Sequence, residues 1–273
     1  MIASWLRIFG LAGSAMVLLG YLIFVYLPVG VLILYSFQDG SVPLPPFRGF
    51  STRWYAEIFS DNRLMAAIWR SGLLAVSSAF LATVLAFGAA YAAVKSTGVT
   101  KAVLNWLMIT PLTVSYLVLG LGLLLTLQWV GLSRSIWSLL MGHVVISIPI
   151  SFLIISSQLG RYLETFERAA ADLGASPLKT LVFVVAPISA PSLVASFFIS
   201  LTTSWDEFVM AFLLTRFDTT LPVEIWAMLR RGLQPTTNAV GTLVFAVSLG
   251  TILILEVCWT LWNRQNKSAE MDR

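Results

Sequence analysis

Two adjacent carboxylates, Asp206 and Glu207, follow Trp205 inside an apolar run that extends from Pro191 to Thr215. Charge in such a run is costly unless it is paired or faces a water-filled path. Neighbours on a helix point about 100° apart, so the two cannot face one small ligand equally well. Two roles are open. One carboxylate lines a path for a cationic solute and offsets part of the hydration that the solute sheds, with Trp205 adding a cation–π face. Alternatively the pair makes structural contacts at a subunit interface. His143 and Glu256 also interrupt apolar runs. His143 suits packing or a proton relay, and Glu256 suits pairing or snorkelling. Arg70 and Gln128 read as interfacial, and Arg230-Arg231 as a contact either for an anionic group on a zwitterionic solute or for a partner protein.

Other chemistries lack their parts. No G-x-x-x-x-G-K-[ST] loop is present, so this chain is expected to bind no ATP itself. No H-E-x-x-H, G-x-S-x-G or Cys/His grouping occurs. With one histidine, in an apolar run, a Ser/His/Asp site has no base to use. Cys258 is the single cysteine, which excludes an intrachain disulfide framework. The expectation is a non-catalytic chain with no metal or cofactor of its own.

The elements that must position these residues are membrane spans. Of 273 residues 58% are hydrophobic and 11% charged, and the mean hydropathy is +0.86. A soluble domain carries roughly a quarter charged residues. Six runs are long enough to cross a hydrocarbon core as helices, about 20 residues each: 11–36, 67–94, 102–130, 135–156, 191–215 and 239–262. The first exceeds the apolar core of a typical signal peptide and reads as an uncleaved signal anchor. Ala82, Ala86 and Ala90, extended by Ala89 and Ala93, form a small-residue stripe for close helix approach, and Gly120 and Gly122 can serve similarly. Pro111 and Pro149 predict kinks in the third and fourth spans. Net charge is +4. Basic residues flanking the spans account for it without nucleic acid. Lys and Arg divide almost evenly between the two sides, so they do not orient the chain. The segments 37–66 and 216–238 are too long for simple turns, and their Trp and Tyr residues suit interfacial helices. No internal repeat is visible, and 1–273 reads as one membrane domain.

Between the fourth and fifth spans, 157–187 is polar. It reads as two short helices with a sharp break. The first ends near Leu173, Gly174 supplies a left-handed stop, Ser176 is an N-cap residue and Pro177 takes the first helical position.

The stretch Glu167-Arg168-Ala169-Ala170-Ala171-Asp172-Leu173-Gly174-Ala175-Ser176-Pro177 resembles the EAA loop of bacterial ABC-importer permeases of the type I fold. That motif reads Glu-Ala-Ala, three residues, Gly, nine residues, Ile-x-Leu-Pro. Ala169, Ala170 and Gly174 keep its spacing, and Val184, Ala186 and Pro187 fill its end. Arg168 stands where the motif has Glu, and Glu167 is one residue early. Further stretches narrow the likeness. Phe50-Ser51-Thr52-Arg53-Trp54-Tyr55 with Phe59 and Leu64, Ser204-Trp205-Asp206-Glu207-Phe208, and Leu221-Pro222 with Ile225, Trp226, Met228, Gly232, Pro235, Asn238 and Ala239 are similar to the C-type member of the spermidine/putrescine permease family.

The resemblance implies an all-α membrane protein with six transmembrane helices in the type I importer permease fold. It sits in a bacterial inner membrane with both termini and the 157–187 loop cytoplasmic, and 37–66 and 216–238 periplasmic. Residues 167–177 couple to an ABC ATPase dimer, which binds ATP and Mg. A second, homologous permease and a periplasmic or lipid-anchored solute-binding protein complete the complex. The implied cargo is a polyamine, with aminobutyrate, aminoethylphosphonate and opines as alternatives within the family. An ion-coupled secondary transporter using Asp206 or His143 is the rival from another class.

Overall fold

The computed structural model describes residues 2–159, 163–232 and 234–271, with side chains from Gly13 to Leu261 apart from Glu164. The elbow segment predicted at 157–187 is therefore described except for 160–162. Thirteen α-helices account for most of the described residues. The longest are α1 (Ile2–Ser36), α3 (Asn62–Lys95), α6 (Ile136–Leu159) and α13 (Pro235–Met271). Each is long and apolar enough to cross a membrane. Two bent helix pairs pass the same test together, which gives up to six when each pair is counted as one span.

The bends have local causes. The expected third span is α4 (Gly98–Ile109), a 3₁₀ turn Thr110–Thr113 that holds Pro111, and α5 (Tyr116–Trp129), with 109° between its two arms. Val114 is extended, and the Ser115 hydroxyl accepts from Leu117 N, so α5 starts as a separately capped helix. The fifth span is reached through α8 (Pro177–Thr180), a π turn Leu181–Val185 and α9 (Ala186–Ile188), then a 73° bend into α10 (Ala190–Trp205). Pro187 and Pro191 lack the N–H groups that a continuous ladder needs. Pro149 behaves otherwise: it lies inside α6, which runs on without interruption.

The chain divides into two compact units. The first comprises Met1–Asn62 and Ile225–Phe245. In it the segment after α1 folds back, with Ser51 N donating to Phe37 O at 2.7 Å and Trp54 Nε1 to Gln38 O at 2.7 Å. This sets α2 (Arg53–Ser60) against the end of α1, where the Ser36 and Tyr55 hydroxyls meet at 2.7 Å.

The second unit, Arg63–Glu224 with Ala246–Arg273, holds the residues singled out above. It has two apolar clusters. One joins Ala86, Ala90 and Ala93 of α3 to Phe152, Ile155 and Leu159 of α6, with Leu163 and Val185. The other joins Leu74 of α3, Leu127 of α5, and Leu139 and Ile146 of α6 to Met210, Ala211 and Leu214 of α11 (Val209–Leu214). The alanine stripe of α3 is fully buried at Ala82, Ala86 and Ala90, as its four-residue period requires. Of the two glycines expected to allow close approach, Gly120 does so. A Cβ there would lie 2.6 Å from Leu213 Cδ1, whereas Gly122 has open space beside it. The link from α11 to α12 (Leu221–Arg231) is fastened to the start of α3 by Arg63–Glu224 at 2.9 Å, Arg70 Nε to Thr219 O at 3.0 Å and Leu221 N to Ser71 Oγ at 2.8 Å.

Candidate functional site

The elbow forms as its sequence dictates. Helix α7 (Leu163–Asp172) buries Leu163 and Ala170 and exposes Arg168, Ala169 and Asp172. Gly174 adopts φ +79°. Its N–H reaches Ala171 O at 2.9 Å, and Ala175 N reaches Ala170 O at 3.0 Å. Those two bonds are a Schellman stop, and the left-handed residue is the one without a Cβ. Ser176 occupies the N-cap position of α8 with extended backbone, but its side chain makes no capping bond; Pro177 follows at the first turn. The apex is apolar and open, with Leu173 89% and Leu178 70% exposed.

Glu167 and Arg168 have diverged in role. Glu167 turns inward to the last turn of α3, where Lys95 Nζ lies 2.9 Å from its Oε1 and the Tyr91 hydroxyl donates to the same oxygen. Lys95 also donates to the Tyr91 oxygen at 2.9 Å and lies over the Tyr91 ring at 4.8 Å. Glu167 is thus the fastener between elbow and span. Arg168, at the position of the motif Glu, is exposed beside Ala169.

The carboxylate pair is also divided. Helix α10 ends at Trp205, and the expected continuous fifth span is broken over Asp206 to Phe208 before α11 resumes. Glu207, 7% exposed, bends back so that Oε1 accepts from Met210 N at 3.0 Å. It therefore caps α11, satisfying a donor that the helix start leaves free. Trp205 is buried as well, packed beside Gly72 of α3. Asp206 is exposed, with Ser248 Oγ of α13 at 3.3 and 3.4 Å from its two oxygens. Below it, Thr202 and Thr203 of α10 face Thr251 of α13 across a groove of about 220 Å³.

A polar seam connects these features. Ser192, Ser196, Ser200 and Ser204 are all buried along one face of α10. Ser200 Oγ meets Ser151 Oγ of α6 at 2.8 Å, and Ser196 Oγ meets Thr83 Oγ1 of α3 at 3.3 Å. Ser204 is a junction: Ser78 of α3 donates to it at 2.8 Å, and His143 Nδ1 of α6 lies 2.7 Å away. The histidine is thereby held in packing, with its Nε2 and the neighbouring Ser147 hydroxyl buried and, among the described residues, without a hydrogen-bond partner. The seam was absent from the sequence-based expectations. The signal for it was there, as serines at four-residue spacing in α10 opposite His143, Ser147 and Ser151 at the same spacing in α6.

A family profile described as "Binding-protein-dependent transport system inner membrane component" matches residues 82–259, which contain the elbow, the carboxylates and the seam. The chain belongs to this family. It is the membrane-spanning permease component of an ABC importer, a carrier subunit and not an enzyme. Among curated relatives of this permease, the Escherichia coli (strain K12) putrescine transport system permease protein PotI is 31% identical over 93% of this chain and 92% of the relative. The Haemophilus influenzae spermidine/putrescine transport system permease protein PotC is 28% identical over 86% and 91%. Among solved structures, a chain of a bacterial ABC transporter that imports the acidic polysaccharide alginate superposes with a TM-score of 0.68 at 17% identity, covering 94% of this permease and 96% of that chain. A chain of the MetNI methionine ABC transporter gives 0.61 at 15% identity, covering 71% and 94%. These likenesses establish the type I permease fold and a multi-pass place in the inner membrane. The family works with an ATPase and a solute-binding protein.

The remaining expected residues of the permease are placed as follows. Glu256 is exposed on α13. Arg230 lies over the Trp226 ring at 4.8 Å. Gln128 lines a polar pocket at the end of α5.

Proposed function

We propose that this permease carries a small cationic or amine-bearing solute, a polyamine foremost, into the cytoplasm by alternating access. The observation that carries the cargo reading is Asp206, an exposed carboxylate at a helix break in an apolar span, with the Ser248 hydroxyl beside it. A fixed negative charge there suits an ammonium group that is losing water. The names of the relatives, putrescine and spermidine/putrescine permeases, support the same class. Within the pair, Asp206 is the cargo-facing residue, and Glu207 and Trp205 hold the break that presents it.

The energy enters through the elbow. Residues Glu167 to Pro177 dock on an ATPase dimer, which binds ATP and Mg; the exposed Leu173 and Leu178 supply apolar contact and Glu167 passes the load to α3. Closure of the dimer pushes the elbow and opens the spans outward, and hydrolysis resets them. The loop and both termini are cytoplasmic, 37–66 and 216–238 are periplasmic, 1–273 acts as one permease domain, and a different, homologous permease completes the membrane part. The test is uptake of labelled putrescine and spermidine by vesicles that hold the co-purified complex, with ATP inside and binding protein outside. ATP-dependent uptake that unlabelled polyamine suppresses, and that aminobutyrate does not, supports the reading. Stronger competition by aminobutyrate, aminoethylphosphonate or an opine would replace polyamine with that cargo.

A further inference from the structure

At the far end of α6 from the elbow, about 36 Å away along a 24-residue helix, a pocket of about 480 Å³ opens between the α5–α6 turn and the segment after α11. Arg134 and Arg216 both line it, together with Gln128, Ser135, Thr215 and Asp218. Among the described residues neither arginine has a salt-bridge partner. Two guanidinium groups against one carboxylate leave the lining net positive.

The pocket also has donors of fixed direction. Ser135 stands immediately before α6, and its hydroxyl accepts from Ser138 N at 3.3 Å. The pocket lining reaches Ser135, the residue before α6, at the end of a helix whose dipole favours an anion. Guanidinium forks match phosphate oxygens two at a time.

The surroundings set the depth. Phe217 lines the pocket, and Trp129 at the end of α5 and Trp137 at the start of α6 adjoin lining residues in sequence; all three are strongly exposed. Exposed indole rings at the end of a span mark the headgroup level of a bilayer. A pocket of net positive charge at that level suits an anionic headgroup, whose phosphate oxygens match guanidinium forks.

We infer that the Arg134–Arg216 pocket seats the phosphodiester headgroup of an anionic phospholipid. The bound lipid braces the α5–α6 turn against the loop that follows α11. An acidic side chain of a soluble partner shares the charge, but has no use for the apolar flank that acyl chains would cover.

The experiment uses the full chain with its co-purified subunits in neutral detergent. Thermal unfolding is followed while phosphatidylglycerol, phosphatidylcholine or inorganic phosphate is added, for the parent and for Arg134→Gln/Arg216→Gln. Both arginines are exposed, so the variant is expected to fold, and its midpoint without lipid checks this directly. Phosphatidylglycerol should raise the parent midpoint where phosphatidylcholine and phosphate do not. The variant should need at least about tenfold more phosphatidylglycerol for the same shift. Equal response of parent and variant would overturn the inference. So would reproduction of the shift by phosphate alone, which would make this a free-anion site. Lipid-independent loss of binding-protein affinity in the variant would make it a protein socket instead.

Discussion

Lys95, the last residue of α3, and Glu167, in the middle of α7, form an ion pair of 2.9 Å that ties the elbow to a membrane span. With Lys95 about half exposed, the pair contributes at most about 1 kcal/mol to stability. Its importance is mechanical. Lys95→Met or Glu167→Gln should lower uptake per ATP hydrolysed severalfold with little change in complex yield. The exchange Lys95→Glu/Glu167→Lys should recover much of the loss. A cycle in which the exchange is no better than the single changes would show that the two residues act separately.

Gly174 at φ +79° is the stop on which the elbow turns. Proline cannot reach that angle. Gly174→Pro is expected to leave the spans inserted and to abolish coupled uptake. Alanine, which has room for its Cβ but not the preferred backbone, should cost about 1 kcal/mol and reduce uptake partially. Normal uptake with proline would remove the elbow from the coupling path.

Asp206 and Glu207 should separate cleanly on substitution. Asp206→Asn is expected to raise the KM for cationic cargo about tenfold or more while assembly stays normal. Glu207→Ala removes the cap of α11 and should destabilise the complex by about 1 kcal/mol, with KM nearly unchanged. Uptake kinetics and thermal unfolding of the same preparations read both effects. Equal loss of assembly in the two variants would assign the pair to structure.

Ser204→Ala leaves Ser78 and His143 Nδ1 without their shared partner. Hydrogen bonds between transmembrane helices are worth about 0.6 kcal/mol on average and rarely above 1.7. Loss at this junction should fall near the upper end, and Ser200→Ala, which breaks one bond to Ser151, near the average. Unfolding midpoints in detergent that reverse this order would mean that the seam bonds are replaced by water.

Features set by local rules could be read directly from the residues. Apolar length gave the spans, and Gly174 followed by Ser176-Pro177 marked the elbow to the residue. The alanine period of α3 told which face is buried. Features set by tertiary contact were hidden. The break after Trp205 has no glycine or proline to announce it, because it depends on the Glu207 side chain folding back onto Met210 N. The 109° turn before α5 was expected only as a kink at Pro111, since the extended Val114 and the capping Ser115 carry no signal inside an apolar run. Serines in α10 look unremarkable singly, and only their register with a second helix gives them meaning.

That register has a consequence for motion. Polar groups recur every four residues on both α6 and α10, at His143, Ser147 and Ser151 and at Ser192 through Ser204. Such a pair of helices is close to degenerate under translation by one four-residue repeat, about 6 Å. A displaced α10 would again set hydroxyls against hydroxyls, where a leucine seam would have to unlock every knob from its hole. His143 Nε2 and the Ser147 hydroxyl mark positions on such a scale that, among the described residues, have no partner in the present register. The contact works as a vernier, holding α10 at discrete settings with small steps of energy between them.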